Sequence, residues 1–418
     1  MRILLFNYSD SINYNERKNM KWSKLDEFTF FLYKYFLNRN DIVLYDNNLI
    51  LKNKKKCELS RKYFKEDYLL NQLKVVISKK ANKNYSKMNE NDIINLYNKF
   101  KDYLQEQFNI ILNNTPIDLM ICRGNYELDN VLCEIIKNEL KIPYMSYENS
   151  FIIDHLYFDS FGPICNIMKE MKYKWNIIDK NNIKINDNVS KFFNSCFYDR
   201  GQVSQPEEEN DKILKEKILS KNKNFNFNKQ TILIVGQVDI DSVVILEDTF
   251  NNIESFIKYA IDSIDKDKYN IIIRFHPRDV IVYNYFYNDD YYKNNFCMFI
   301  EYEVNTYNLI KFSDIIIVLN SQLGLEAALM GKPVVVCGNP FYNISDGIYI
   351  DNNLNLSEVI LSACNKEKLN EKVYNIKKFF SFLYNDYMVT CENTEENLKK
   401  INQKIKMSID SIHQLSIN

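Results

Sequence analysis

The chain has 418 residues, 46% of them hydrophobic and 14% aromatic, enough apolar material for two buried cores and too much for a disordered chain. Lys and Arg (54) nearly cancel Asp and Glu (55); the formal net charge of -1 argues against a dedicated nucleic-acid binder, which carries a strong basic excess. Nine cysteines with no CxxC pair, and only three histidines to join them, exclude zinc-ligand spacing, so no metal is expected. An odd number of thiols scattered through apolar runs such as Met120–Cys122 reads as reduced and points to a cytoplasmic chain. The apolar run at the start is too short for a signal-peptide core, and nothing approaches the roughly 18 uninterrupted apolar residues of a membrane span. Any membrane contact is therefore expected to be peripheral, at the inner membrane.

Taken in chain order, Arg2–Asn7 reads as a strand, Lys24–Leu37 as an amphipathic helix and Asp41–Tyr45 as a second strand. Residues 88–113 carry a long helical pattern with Asn89 or Asn91 available as its cap. Ile117–Cys122, Tyr126–Leu140 and Pro143–Tyr147 then read strand, helix, strand. This β-α-β order predicts a parallel sheet covered by helices on both faces. The polar segment Gly201–Asp211 and the stretch Ser220–Gln230 mark the expected domain junction. The first domain is thus expected over 1–205 and the second over 225–389. Buried strands are predicted at Thr231–Val235, Tyr269–Phe275, Asp314–Leu319 and Pro333–Cys337, with helices near Asn252–Ile264 and Gln322–Met330. Tyr283–Tyr292 reads as an aromatic surface loop or helix. A terminal helix over 394–414, within the segment 390–418, is placed to rejoin the first domain. The expected fold class is α/β: two Rossmann-like, doubly wound domains facing each other across a cleft at the carboxyl ends of their strands.

Four of the eight glycines (Gly324, Gly331, Gly338, Gly347) crowd into one short stretch, which suggests backbone requirements local to a site. There the strand ending at Leu319 meets Asn320-Ser321, a cap for the helix that follows. The amides and positive dipole of that helix start suit a phosphate. Glu326 lies five residues beyond Ser321, within reach of a ribose; the alternative is a solvated helix carboxylate. His276-Pro277 ends a presumed central strand with Arg274 and Arg278 beside it, where a histidine can stabilise charge on a leaving group. Gly236 to Ser242 ends the first strand of the second domain and brings Gln237, Asp239, Asp241 and Ser242 to the same mouth. Either carboxylate could serve as nucleophile or general base, and periodicity does not choose between them. Aspartates after a strand are also common turn formers.

Together these segments resemble the capsule polysaccharide synthesis family of bacterial glycosyltransferases, which includes the β-Kdo transferases of group 2 capsules. Four blocks match in order: Glu148-Asn-Ser150 with Asp159-Ser-Phe-Gly162 and Asn166; Gln237-Val-x-x-Asp241-Ser242; His276-Pro277; and Asp314 through Asn320-Ser321, Gly324-Leu-Glu326 and Gly331-Lys-Pro333 to Gly338, Tyr342 and Gly347. Ser150 stands where the family usually has Gly, and the first 140 residues match only in general pattern. The resemblance implies a GT-B architecture and a CMP-activated ulosonic acid donor, CMP-Kdo first, with no cofactor and no bound metal. It implies that His276, Asn320 and Ser321 hold the CMP phosphate, with Gln237, Ser242, Pro277, Gly324 and Glu326 completing the donor site. Asp241 would be the nucleophile of a sugar–aspartate adduct. Glu148, Asp239, Arg274 and Tyr342 are candidate contacts to the sugar or the acceptor. The implied partners are the nucleotide-sugar donor, a lipid-linked or glycan acceptor and other capsule enzymes. CMP-sialic acid, CDP-glycerol and UDP-sugar chemistry are the neighbouring alternatives on the same architecture, and a non-catalytic scaffold is the alternative of another class.

Overall fold

The computed structural model describes residues 1–5, 24–45, 66–113, 116–123, 128–152, 154–161, 168–185, 210–247, 249–300, 303–352 and 355–415. Gly162, Asn166 and the greater part of the polar segment from Gly201 lie outside them. The chain divides into two units, Met1–Ile178 with Leu383–Asn418, and Asp179–Phe382.

In the first unit, β1 (Arg2–Leu5), β2 (Ile42–Tyr45), β3 (Leu119–Arg123) and β4 (Tyr144–Asn149) run parallel in the order β2-β1-β3-β4. β5 (His155–Asp159) then folds back antiparallel on β4. Side chains alternate faces along a strand, and β1 and β3 are buried on both faces. Leu4, Met120 and Cys122 pack with Tyr97, Phe100, Leu104 and Phe108 of the helix Glu90–Asn113. Ile3, Leu5, Leu119 and Ile121 pack on the other face with Phe28, Leu32 and Phe36 of the helix Lys24–Asn38. Asn89 is the residue that caps the long helix, its Oδ1 accepting the Asp92 N–H at 2.8 Å.

The second unit carries β6 (Gln230–Val235), β7 (Tyr269–Phe275), β8 (Cys297–Ile300), β9 (Ile315–Val318), β10 (Val334–Val336) and β11 (Tyr349–Ile350). All are parallel, in the order β8-β7-β6-β9-β10-β11. The runs Ile232–Val235, Ile315–Val318 and Val334–Val336 are buried throughout, as a sheet covered on both faces requires. Strand order reverses between β6 and β9, and Val235 pairs with Val318, so the two strands end level. In an open parallel sheet that reversal leaves a crevice at the carboxyl ends, where ligands bind.

The division falls at 178/179 and 382/383, not between 205 and 225. The helix Asp211–Lys221 belongs with the second unit, where Lys217 Nζ donates to the Glu303 carbonyl at 2.6 Å. The chain returns to the first unit before β12 (Val389–Thr390), which pairs antiparallel with β5. The terminal helix Glu395–Leu415 buries Ile401 and Ile405 in the core of that unit. It also carries Lys404, fully buried, whose Nζ lies 2.5 Å from Glu170 Oε1, with Lys174 Nζ 2.7 Å from the same oxygen. Glu170 Oε2 accepts from the Ser160 N–H and hydroxyl, both at 2.7 Å. Nearby, Asp159 accepts the Tyr387 hydroxyl at 2.8 Å and the Phe161 N–H at 2.9 Å. Burial and then the Glu170 charge push Asp159 up to about 6. Burial alone would raise Glu170 too, but the two lysines hold it below its usual range. Among the described residues no helix is long and apolar enough to cross a membrane.

Candidate active site

β6 passes so close to β7 that the Gly236 N–H donates to the Arg274 carbonyl at 2.8 Å, and a Cβ on Gly236 would sit 3.2 Å from that oxygen. The next residue, Gln237, is buried and turns its Oε1 to the backbone N–H of Asn320 at 3.2 Å, joining the loops after β6 and β9 across the strand reversal. Asn320 answers with its side chain: Nδ2 donates to the Val243 carbonyl at 2.6 Å and to Glu247 Oε2 at 3.0 Å. The same Glu247 oxygen accepts the Asn339 N–H at 2.9 Å, bringing in the loop after β10. Gly338 makes room for that carboxylate, since a Cβ there would come within 2.5 Å of Oε2. Glu247 carried no signal in the sequence; it is an acidic residue ending an apolar run, recruited by the fold.

The two aspartates that periodicity could not separate are different in kind. Asp239 is buried, and its Oδ1 accepts the Ile253 N–H at 2.9 Å, at the start of the helix Ile253–Ser263. Its own N–H goes to Asp279 Oδ2 at 2.9 Å, while Asp279 Oδ1 caps the helix Val280–Tyr287 through Val282. Asp239 thus anchors structure and is not a surface contact for a sugar. Asp241 is exposed, leading a single helical turn, Ser242–Ile245, in which Ser242 is buried. β6 stops at Val235 and the Asp241 N–H bonds the Val238 carbonyl at 2.9 Å, so the segment is a turn that sends one carboxylate in and the other out.

His276 follows β7 directly, before buried Pro277 and a backbone bond from the Asp279 N–H to its carbonyl at 2.9 Å. Its Nδ1 accepts the Arg278 N–H at 3.1 Å, which puts the proton of the neutral ring on Nε2. Burial, then the charges of half-buried Arg274 and exposed Arg278, push the imidazole down to about 3. At neutral pH the ring is an uncharged N–H donor.

After β9, Ser321 caps the helix Gln322–Leu329, its Oγ accepting the Leu323 N–H at 3.3 Å. Tyr342, wholly buried, donates its hydroxyl to the Ser321 carbonyl at 2.5 Å from beneath. Gly324 permits this, because a Cβ there would strike that hydroxyl and come within 2.9 Å of Val318. Tyr342 is therefore a support of the helix start and not a sugar contact. Glu326 is 1% exposed and accepts the Tyr307 hydroxyl at 2.8 Å. It is therefore not a solvated carboxylate, and one of its oxygens is committed to Tyr307. Asn320 also departs from expectation: both of its hydrogen-bond donors point inward, so it has none for a phosphate. Glu148 lies in the first unit, on β4 opposite Tyr157, with its Oε1 accepting the Asn149 N–H at 2.9 Å.

The second unit is thus a doubly wound α/β domain in which a capped helix start, a neutral histidine and an exposed carboxylate follow three neighbouring strands beside the reversal. The chain belongs to the capsule polysaccharide biosynthesis protein family, whose model matches residues 155–372, just over half of it. It is similar to the β-Kdo 2,7 transferase of Thermosulfurimonas dismutans KpsC at 17% identity, over 74% of this chain and 88% of that one, with a TM-score of 0.40. The β-Kdo 2,4 transferase of the same KpsC aligns at 15% identity over 70% and 87%, with a TM-score of 0.41. A UDP-GlcNAc 2-epimerase from Neisseria meningitidis aligns at 12% identity over 97% and 100%, with a TM-score of 0.35. No curated protein matches the sequence.

Proposed function

We propose that this member of the capsule family is a glycosyltransferase that moves a CMP-activated ulosonic acid, Kdo in the first instance, onto a lipid-linked or glycan acceptor. What supports the reading is that Asp241, His276 and the helix start at Ser321, each in its family block, follow three neighbouring strands, β6, β7 and β9, of one parallel sheet. In this scheme the phosphate of CMP rests on the amides at the helix start and on the Nε2–H of His276, and the dipole and the neutral donor take up charge as CMP leaves. The exposed Asp241 carboxylate attacks the anomeric carbon, and an acceptor hydroxyl then displaces it. Gln237, Asn320 and Glu247 hold the three loops in register, and Asp239, Tyr342 and Glu326 support the elements behind them. Glu148 is the candidate acceptor contact in the first unit.

The test is thermal shift with CMP, CDP, UDP and GDP side by side, because a ligand that binds only the folded state raises its apparent stability. Selective stabilisation by CMP, followed by release of CMP from CMP-Kdo, supports the reading. A preference for UDP or GDP refutes the donor assignment. No shift with any nucleotide favours a non-catalytic scaffold.

A further inference from the structure

We infer that Glu247 is a positioning residue that locks the amide of Asn320 so that its Oδ1 becomes a fixed acceptor for a ribose hydroxyl of the bound nucleotide. This rests on the reading of the second unit as a nucleotide-donor site. The orientation of the amide follows from its partners. The Val243 carbonyl can only accept, and Glu247 Oε2 already accepts the Asn339 N–H, so the group facing both must be Nδ2. A rotated amide would set Oδ1 against two acceptors. Glu247 cannot swing away easily: its other oxygen accepts the Thr249 N–H at 3.3 Å, and the residue is buried in the space left by Gly338. A carboxylate in this role makes charge-assisted bonds, stronger than a neutral side chain would make.

What remains of Asn320 is its Oδ1. The residue is 4% exposed, and this oxygen is buried with no hydrogen-bond partner among the described residues. An orphaned buried acceptor is costly, and the cost is relieved by a donor arriving with a ligand. An acceptor repels phosphate oxygens and attracts a hydroxyl. Asn320 immediately precedes the Ser321 helix start assigned to the phosphate, and the hydrogen-bond donors nearest the phosphate of a nucleotide are its ribose hydroxyls. The ribose partner expected from the sequence, Glu326, is engaged by Tyr307 instead.

Isothermal titration of CMP, 2′-deoxy-CMP and 3′-deoxy-CMP into the full chain tests this. The wild type should prefer CMP over at least one deoxy analogue by about tenfold, the worth of one hydrogen bond. Glu247→Ala should cut that preference below about twofold whatever its effect on overall affinity, since the readout is the ratio between CMP and the deoxy analogue, and Glu247→Gln should keep most of it. Asn320→Ala, which deletes the acceptor directly, should behave as Glu247→Ala and serves in its place if that variant does not fold. CMP binding with no ribose preference in the wild type, or an undiminished preference in the variants, overturns the inference while leaving the donor site standing. Failure of the wild type to bind any of the three overturns both.

Discussion

Each unit buries a polar cluster, and the two are finished differently. In the first unit Asp159, Glu170, Lys174, Lys404 and Tyr387 answer one another: the carboxylates face two ammonium groups, a tyrosine hydroxyl and backbone N–H groups. In the second, Glu247, Asn320 and Gln237 also interlock, yet Asn320 Oδ1 is left without a partner among the described residues and Asp241 stands exposed. A buried network that is satisfied internally fixes a fold, here fastening the terminal helix to the first sheet. One that stops short leaves a polar atom that a ligand can satisfy.

Substitutions should separate the two kinds of cluster. Asp241→Asn should lower transfer by more than about 10³-fold with CMP affinity nearly intact, as expected when a nucleophile is lost but binding is not. Asp239→Asn should instead lower the melting temperature, and equal rate losses in the two variants would erase the distinction between them. Lys404→Met should cost about 3 kcal/mol in denaturant unfolding by leaving Glu170 short of a buried counter-charge, with no change in CMP affinity. His276→Ala should weaken CMP binding and slow transfer by about 10²-fold, the usual effect of removing one charge-stabilising donor; an unchanged rate would make the histidine structural.

The smallest expected effects lie in the pH dependence, where the clusters carry opposite signs. His276 titrates at about 3 in the folded chain against 6.5 ordinarily, so between those values only the unfolded chain takes the proton. Its contribution to stability is therefore lost as pH falls through that window. Asp159 is raised from 3.8 to about 6, so between those values the folded chain holds the proton and this group favours folding as pH falls. Melting temperatures at pH 7 and 5 should converge in His276→Gln and diverge in Asp159→Asn. The reverse pattern would mean that these groups do not govern the acid limb.

Much of the fold was legible because its signals are local. The runs at Thr231–Val235 and Asp314–Leu319 and the caps at Asn89 and Ser321 each need only a few neighbouring residues. The placement of His276, Gln237 and Ser321 after neighbouring strands of one parallel sheet was legible as well, since each ends an apolar run. Glu247 was not, because its partners Asn320 and Asn339 lie 73 and 92 positions away and only the strand order brings them together. Asp239 and Asp241 could not be sorted because the period of a strand lapses once the backbone turns. The sequence places Glu326 within reach of a ribose because it does not show what packs over a short helix, here Tyr307. The unit boundary was set by the packing of Asp211–Lys221, which its own polar sequence does not reveal.

The most direct test of the account is hydrogen exchange followed by mass spectrometry on the full chain with and without CMP. Slowed exchange confined to peptides covering 236–247, 276–279 and 319–324 is the predicted result, with the His276→Ala variant showing less of it. Protection elsewhere, or none at saturating CMP, would contradict the placement of the donor at the strand reversal of the second unit.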